Sequence, residues 1–175
     1  MTGKLARKAG VVVIALGAGA QAHAFAQDPT VCAELAAIVG EARTGFLALR
    51  GEARRPALDG DERFSAARAL PGASECDITV VEPDWVEYAC AWYLADPAGL
   101  DRQYAAFTEA VRGCFAGFEL FDEPERRLAG GDPRIRPASL KVRISDAVEL
   151  MVRRWSSRTT SGRTRIVLTV YYVPR

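Results

Sequence analysis

Histidine is almost missing from this chain of 175 residues: the single copy is His23. It lies in a segment with the form of a cleavable export leader, so the chain expected after cleavage has none. That excludes Ser-His-Asp and Cys-His catalysis, His-ligated zinc and a histidine pH switch. Lysine is nearly as scarce. Lys4 and Lys8 fall in the same segment, and Lys141 alone remains beyond it, against nineteen arginines. There is no C-x-x-C pair, which argues against a zinc ribbon or a thioredoxin-type redox site. No apolar run reaches the roughly 20 residues of a membrane-spanning helix. Gly130-Gly131-Asp132 lacks the further glycines and the strand-to-helix setting of a phosphate loop. The acidic clusters lack the ligand spacing of a calcium loop. No metal or cofactor is therefore expected.

What is present begins with the leader. Residues 1–10 carry Lys4, Arg7 and Lys8 and no acid, and residues 11–20 read VVVIALGAGA. Two overlapping small-residue exits follow, Ala22-His23-Ala24 and Ala24-Phe25-Ala26. This is the secretory pattern. Residues 1–26 are expected to be a signal peptide and 27–175 a single domain, with the product beginning near Phe25 or Gln27 and residing in the periplasm or outside the cell. No integral membrane segment is expected after cleavage. The remaining chain holds 20 basic and 22 acidic residues, a net charge of −2. The balance is uneven along the chain. Residues 27–125 carry 8 basic and 19 acidic groups, residues 126–175 carry 12 basic and 3 acidic. Either the two parts pack and neutralise one another, or the second forms a basic face for an anionic partner. The compartment excludes nucleic acid and leaves an acidic protein, a lipid headgroup or a cell-wall polymer.

Cys32, Cys76, Cys90 and Cys114 are an even number in an exported chain and predict two disulfides. The segment 76–94, CDITVVEPDWVEYACAWYL, contains two alternating apolar runs around Glu82-Pro83-Asp84, a turn signal. Folded antiparallel about that loop, Val81 opposes Trp85, Val80 opposes Val86, Ile78 opposes Tyr88 and Cys76 opposes Cys90. Cys76, Ile78, Val80, Val86, Tyr88 and Cys90 then share one face, continued by Trp92 and Leu94, while Asp77, Thr79 and Glu87 take the other. Opposed residues lie about 4.5–5.5 Å apart, within disulfide range. The expected pairs are Cys76–Cys90 and, by remainder, Cys32–Cys114.

Asp28-Pro29 and Asp96-Pro97 each suit a helix start. Leu35, Ile38 and Val39 continue the first helix, expected over 29–43. Leu100, Tyr104, Phe107, Val111 and Cys114 form one apolar stripe on the second, expected over 97–115. Antiparallel helices bring Cys32 to Cys114. Residues 46–50 read as a strand and 51–75 as loop, with room for a short helical piece over 62–70. A short strand is expected near 116–121, and 122–138 is irregular by its prolines and glycines. In the meander 140–173 the rows Leu140/Val152/Leu168, Val142/Leu150/Val170 and Ile144/Val148/Tyr172 make one apolar face. A helical period also fits 139–155. The fold class is thus α+β: a twisted antiparallel sheet, built from hairpin 76–94 and meander 140–173, packed against two helices.

The other face of the meander shows Lys141, Arg143, Met151, Arg153, Trp155, Arg165, Thr169 and Tyr171. Arg153, Trp155, Arg165 and Tyr171 have the composition of a binding surface, with Trp155 opposite Arg165 for a cation–π contact. Carboxylates cluster at Asp61-Glu62, at Glu82/Asp84/Glu87 and at Asp122-Glu123-Glu125, but nothing in the sequence sets the spacing across a cleft that glycosidase chemistry needs.

The order helix, strand, strand pair, helix, then two or three strands resembles the type III secretion chaperone-like α/β fold, across most of residues 28–173. The resemblance implies a small module that binds other proteins. An exported, non-enzymatic binding protein is the first expectation, its partner a protein or an anionic envelope component. A periplasmic inhibitor or immunity protein is the second, and a carboxylate-dependent hydrolase the third.

Overall fold

The two Asp-Pro pairs prepare the helices rather than cap them. Asp28 Oδ1 accepts the Thr30 backbone N–H at 2.8 Å and the Thr30 hydroxyl at 2.6 Å, and helix α1 follows as Val31–Gly40. Asp96 Oδ1 accepts the Ala98 N–H at 2.9 Å; a single 3-10 turn spans Pro97–Gly99, and helix α2 follows as Leu100–Cys114. Each aspartate closes a short turn on the residue two further on, so each helix starts two or three residues later than the Asp-Pro pattern predicts. The computed structural model describes residues 25–26, 28–55, 60–81, 85–127, 135–156 and 164–174. The expected leader through Ala24, the turn 82–84, the glycine pair at 130–131 and the loop 157–163 lie outside these.

After α1 the chain differs from expectation. Gly45 and Phe46 are both left-handed, with φ of 65° and 57°. They reverse the chain and drive the Phe46 ring into the core beside Tyr88, centroids 5.9 Å apart. Residues 47–49 then form a 3-10 turn, and strand β1 is Arg50–Arg54 instead of 46–50. Phe46 and Leu49 are both buried through this turn rather than through strand alternation. The stretch expected to be loop holds β1 and β2 (Glu62–Ala66), and the helical alternative for 62–70 is overturned because β2 pairs with its neighbour along its length. β1 bulges between Arg50 and Ala53. A side chain at Gly51 would meet Ser65 Oγ at 2.7 Å, so glycine lets the two strands close.

The remaining strands are β3 (Glu75–Val81), β4 (Trp85–Tyr93), β5 (Glu119–Glu123), β6 (Arg126–Arg127), β7 (Ile135–Arg136), β8 (Ser139–Arg143), β9 (Val148–Trp155) and β10 (Arg165–Tyr172). β6 and β7 pair only with each other, in a stretch expected to be irregular. The other eight form one antiparallel sheet in the order β1-β2-β3-β4-β10-β9-β8-β5. A helix followed by four sheet strands thus occurs twice, and the last strands of the two halves meet at the centre. β4 and β10 pair from Val86↔Tyr172 to Tyr93↔Arg165.

Both expected registers are present. Cys76↔Cys90, Ile78↔Tyr88, Val80↔Val86 and Val81↔Trp85 align in the hairpin. Leu140↔Val152↔Leu168 and Val142↔Leu150↔Val170 align in the meander, with Val148 opposite Tyr172. The helical alternative for 139–155 is ruled out by β8 and β9. The disulfides are Cys76–Cys90 and Cys32–Cys114, the second tying the start of α1 to the end of α2. Two disulfides are the mark of an oxidising environment, extracellular or periplasmic.

Both helices cover the same face of the sheet. Leu35 and Ile38 of α1 and Phe107 and Val111 of α2 are fully buried with Ile78, Tyr88, Trp92, Leu150, Leu168 and Val170. Phe25 belongs to this core too: it is fully buried and stacked on Phe107, two residues ahead of the expected domain start. Deleting a buried aromatic ring costs about 3–5 kcal/mol.

Candidate functional site: the helix-free face of the sheet

Alternation sends every second side chain of the sheet away from the helices. On that face one row runs Thr79, Glu87, Tyr171, Glu149, Arg143 and Glu119, contributed in turn by β3, β4, β10, β9, β8 and β5. The next row includes Asp77, Ala89, Thr169, Met151, Lys141 and Phe121.

Much of the charge on this face is paired internally. Asp77 is buried and held by Arg54 at 2.8 Å and by Arg63. Lys141 pairs with Glu123 at 3.0 Å and Arg143 with Glu119 at 2.8 Å. On the helix side Arg154 pairs with Asp101. These last three pairs each join the basic segment beyond residue 126 to the acidic segment before it. The two parts of the chain therefore neutralise one another across β5–β8 and across β9–α2.

Hollows open between the side chains of this face. One, of about 660 Å³, lies at one end and is lined by Trp85, Arg143, Glu149, Met151, Tyr171 and Val173 among others. Trp85 and Tyr171 meet edge to face, with ring centroids 6.1 Å apart. Arg143 pairs with Glu119 at 2.8 Å, and its guanidinium lies 4.9 Å from the centre of the Phe121 ring. Glu149 has no ion-pair partner among the described residues. A second hollow of about 270 Å³ includes Asp77, Glu87 and Arg165, and a third of about 230 Å³ includes Lys141, Arg153 and Trp155.

Tyr171 joins the hollow at Trp85 to the centre of the sheet. It stands opposite Glu87 across the β4–β10 pair, and the Arg153 guanidinium lies 5.8 Å from its ring centroid. Burial pushes the Glu87 carboxyl above the ordinary carboxylate range, opposed by Arg153 and by the Tyr171 hydroxyl. Burial likewise pushes the Tyr171 hydroxyl up.

The four residues singled out from sequence lie on this face, Arg153 and Trp155 on β9 and Arg165 and Tyr171 on β10. Arg165 stands opposite Trp155, as the register predicts. The arginine over a ring is, however, Arg153 on Tyr171. The four are divided among three hollows rather than gathered in one. Sequence reasoning missed Trp85, Glu149 and Val173 as lining residues. Trp85 had a signal: the hairpin register sets it on the face opposite the disulfide. What no local pattern supplies is the pairing of β4 with β10, which brings Trp85 beside Tyr171.

Among the described residues, no group of three or more His, Cys, Asp or Glu side chains is placed to hold a metal ion. No described helix is long and apolar enough to cross a membrane. No protein-family model, curated protein or solved structure matches the chain.

Proposed function

We propose that this chain is an exported binding module, periplasmic or secreted, that catalyses nothing itself and holds its ligand on the helix-free face of the sheet. The observation that carries this reading is the hollow at Trp85 and Tyr171. It has the size and the mixed aromatic, aliphatic and polar lining of a ligand pocket, and it lies on the face that both helices leave uncovered. The group that fits it is an apolar body bearing a positive charge. Trp85, Tyr171 and Met151 offer ring faces and a polarisable thioether to such a body. Glu149 has no ion-pair partner among the described residues, while Arg143 is already paired with Glu119. This departs from the anionic partner that the composition of residues 126–175 favours, because Lys141, Arg143 and Arg154 pair with acids within the chain. The likeness in element order to type III secretion chaperones supports a protein partner presenting such a side chain.

Phenethylammonium and phenylacetate share an apolar body and differ in the sign of their charge, which makes them a direct test by calorimetric titration. Phenethylammonium is expected to bind in preference to phenylacetate. Glu149→Gln should weaken it about tenfold, the worth of one charge-assisted contact, and Trp85→Ala should abolish binding. Preference for phenylacetate, or variants that bind like the parent, contradicts the reading.

A further inference from the structure

We infer that the leader is cut after Ala24, and not after Ala26, so that Phe25 becomes the first residue of the working protein and closes its core. The inference rests on the export reading above. By pattern alone Ala22-His23-Ala24 and Ala24-Phe25-Ala26 are equivalent exits, and the fold separates them.

Phe25 has no exposed surface. Its ring is stacked on Phe107 with centroids 4.1 Å apart and planes 2° from parallel, and it meets Trp92 edge-on at 5.3 Å. Phe107 and Trp92 meet each other edge-on at 4.6 Å. Phe107 belongs to α2 and Trp92 to β4, so Phe25 is the third ring of a cluster that joins helix to sheet. Cutting after Ala26 removes that ring with its residue. The space left has little means to close. Trp92 is fixed by its indole N–H, which donates to the Pro71 carbonyl at 3.1 Å, and α2 is tethered to α1 through Cys114 and Cys32. A buried void that cannot collapse is where loss of a large side chain costs most.

Phe25 is also bonded through its backbone. The Phe25 carbonyl accepts the Asp28 N–H at 3.3 Å, and Asp28 in turn holds Thr30 ahead of the helix. Phe25 is thus held in place by its ring and by its own backbone. Hydrolysis of the Ala24–Phe25 bond by the leader peptidase of the export machinery places the new carboxylate on the departing Ala24 and the new amine on Phe25.

Intact-mass measurement of the exported product, made from the full chain with its own leader in a Gram-negative host, tests this. The expected product begins at Phe25. A product beginning at Gln27 overturns the inference and leaves the export reading standing; a product retaining Met1 overturns both. The role in the core has its own test. Chains fixed by a foreign leader to begin at Phe25 or at Gln27 should differ in melting temperature by at least ~6 °C, with the shorter one less stable or not recovered folded. Equal melting temperatures overturn the core-closing role.

Discussion

Glu87 and Tyr88 are neighbours in β4 with opposite surroundings, and the contrast shows what a single residue contributes on each side of the sheet. Tyr88 is fully buried on the helix side, and its hydroxyl donates to the Arg68 carbonyl at 2.7 Å, so a core aromatic also pins the loop between β2 and β3. Glu87 points to the other face and stands opposite Tyr171. Its folded-state pKa is raised by burial from an ordinary value near 4.5. The folded chain therefore holds that proton more tightly than the unfolded chain does. Ionising Glu87 costs stability; the penalty is absent below about pH 4.5 and complete above the raised value. Glu87→Gln should accordingly gain stability relative to the parent at pH 7, and the gain should vanish near pH 4. Thermal melts of both proteins across that range check it, and a difference independent of pH would contradict it. The core position of Tyr88 was legible in the alternation of 76–94. The neighbours of Glu87 were not, since Tyr171 and Arg153 arrive from strands more than sixty residues away.

At the scale of elements, the hairpin and the meander were legible because each is local and each has one apolar face. A slip of one residue would turn that face to water, so alternation sets the register. β1 and β2 were hidden for the converse reason. β1 is an edge strand, Arg-Gly-Glu-Ala-Arg, exposed along most of its length. Charged edges resist pairing with other chains, and their sequences carry no apolar period to read. The 46–50 segment misled because its apolar residues enter the core through a turn. The two disulfides act on elements of different span. Cys76–Cys90 closes a separation of 14 residues inside one hairpin, and Cys32–Cys114 a separation of 82 between helices. By loop entropy the first contributes about 3 kcal/mol and the second about 4.5 kcal/mol. Removing each pair by double alanine substitution and unfolding in guanidinium should reproduce that order. A larger loss at Cys76–Cys90 would show that native packing around the hairpin, not chain entropy, sets the cost.

For the whole molecule, the arrangement is two halves of helix and four sheet strands joined along β4 and β10. The repeated Asp-Pro starts hint at it in the sequence, but the joint itself is written nowhere locally, so the two sheet pieces were visible and their union was not. That union creates the candidate site. It places Trp85 of one half against Tyr171 of the other, and it leaves one face of an eight-stranded sheet uncovered by either described helix. The same assembly resolves the charge asymmetry of the chain, because β5 lies beside β8 and α2 against β9, bringing acids to arginines and Lys141. What remains for a ligand is an aromatic hollow with a carboxylate, Glu149, that has no ion-pair partner among the described residues. The most direct test is to map amide chemical-shift changes while titrating with phenethylammonium. The account predicts changes concentrated at Trp85, Glu149, Met151 and Tyr171, with α1 and α2 silent. Changes centred on the helices, or none on the sheet face, would contradict it.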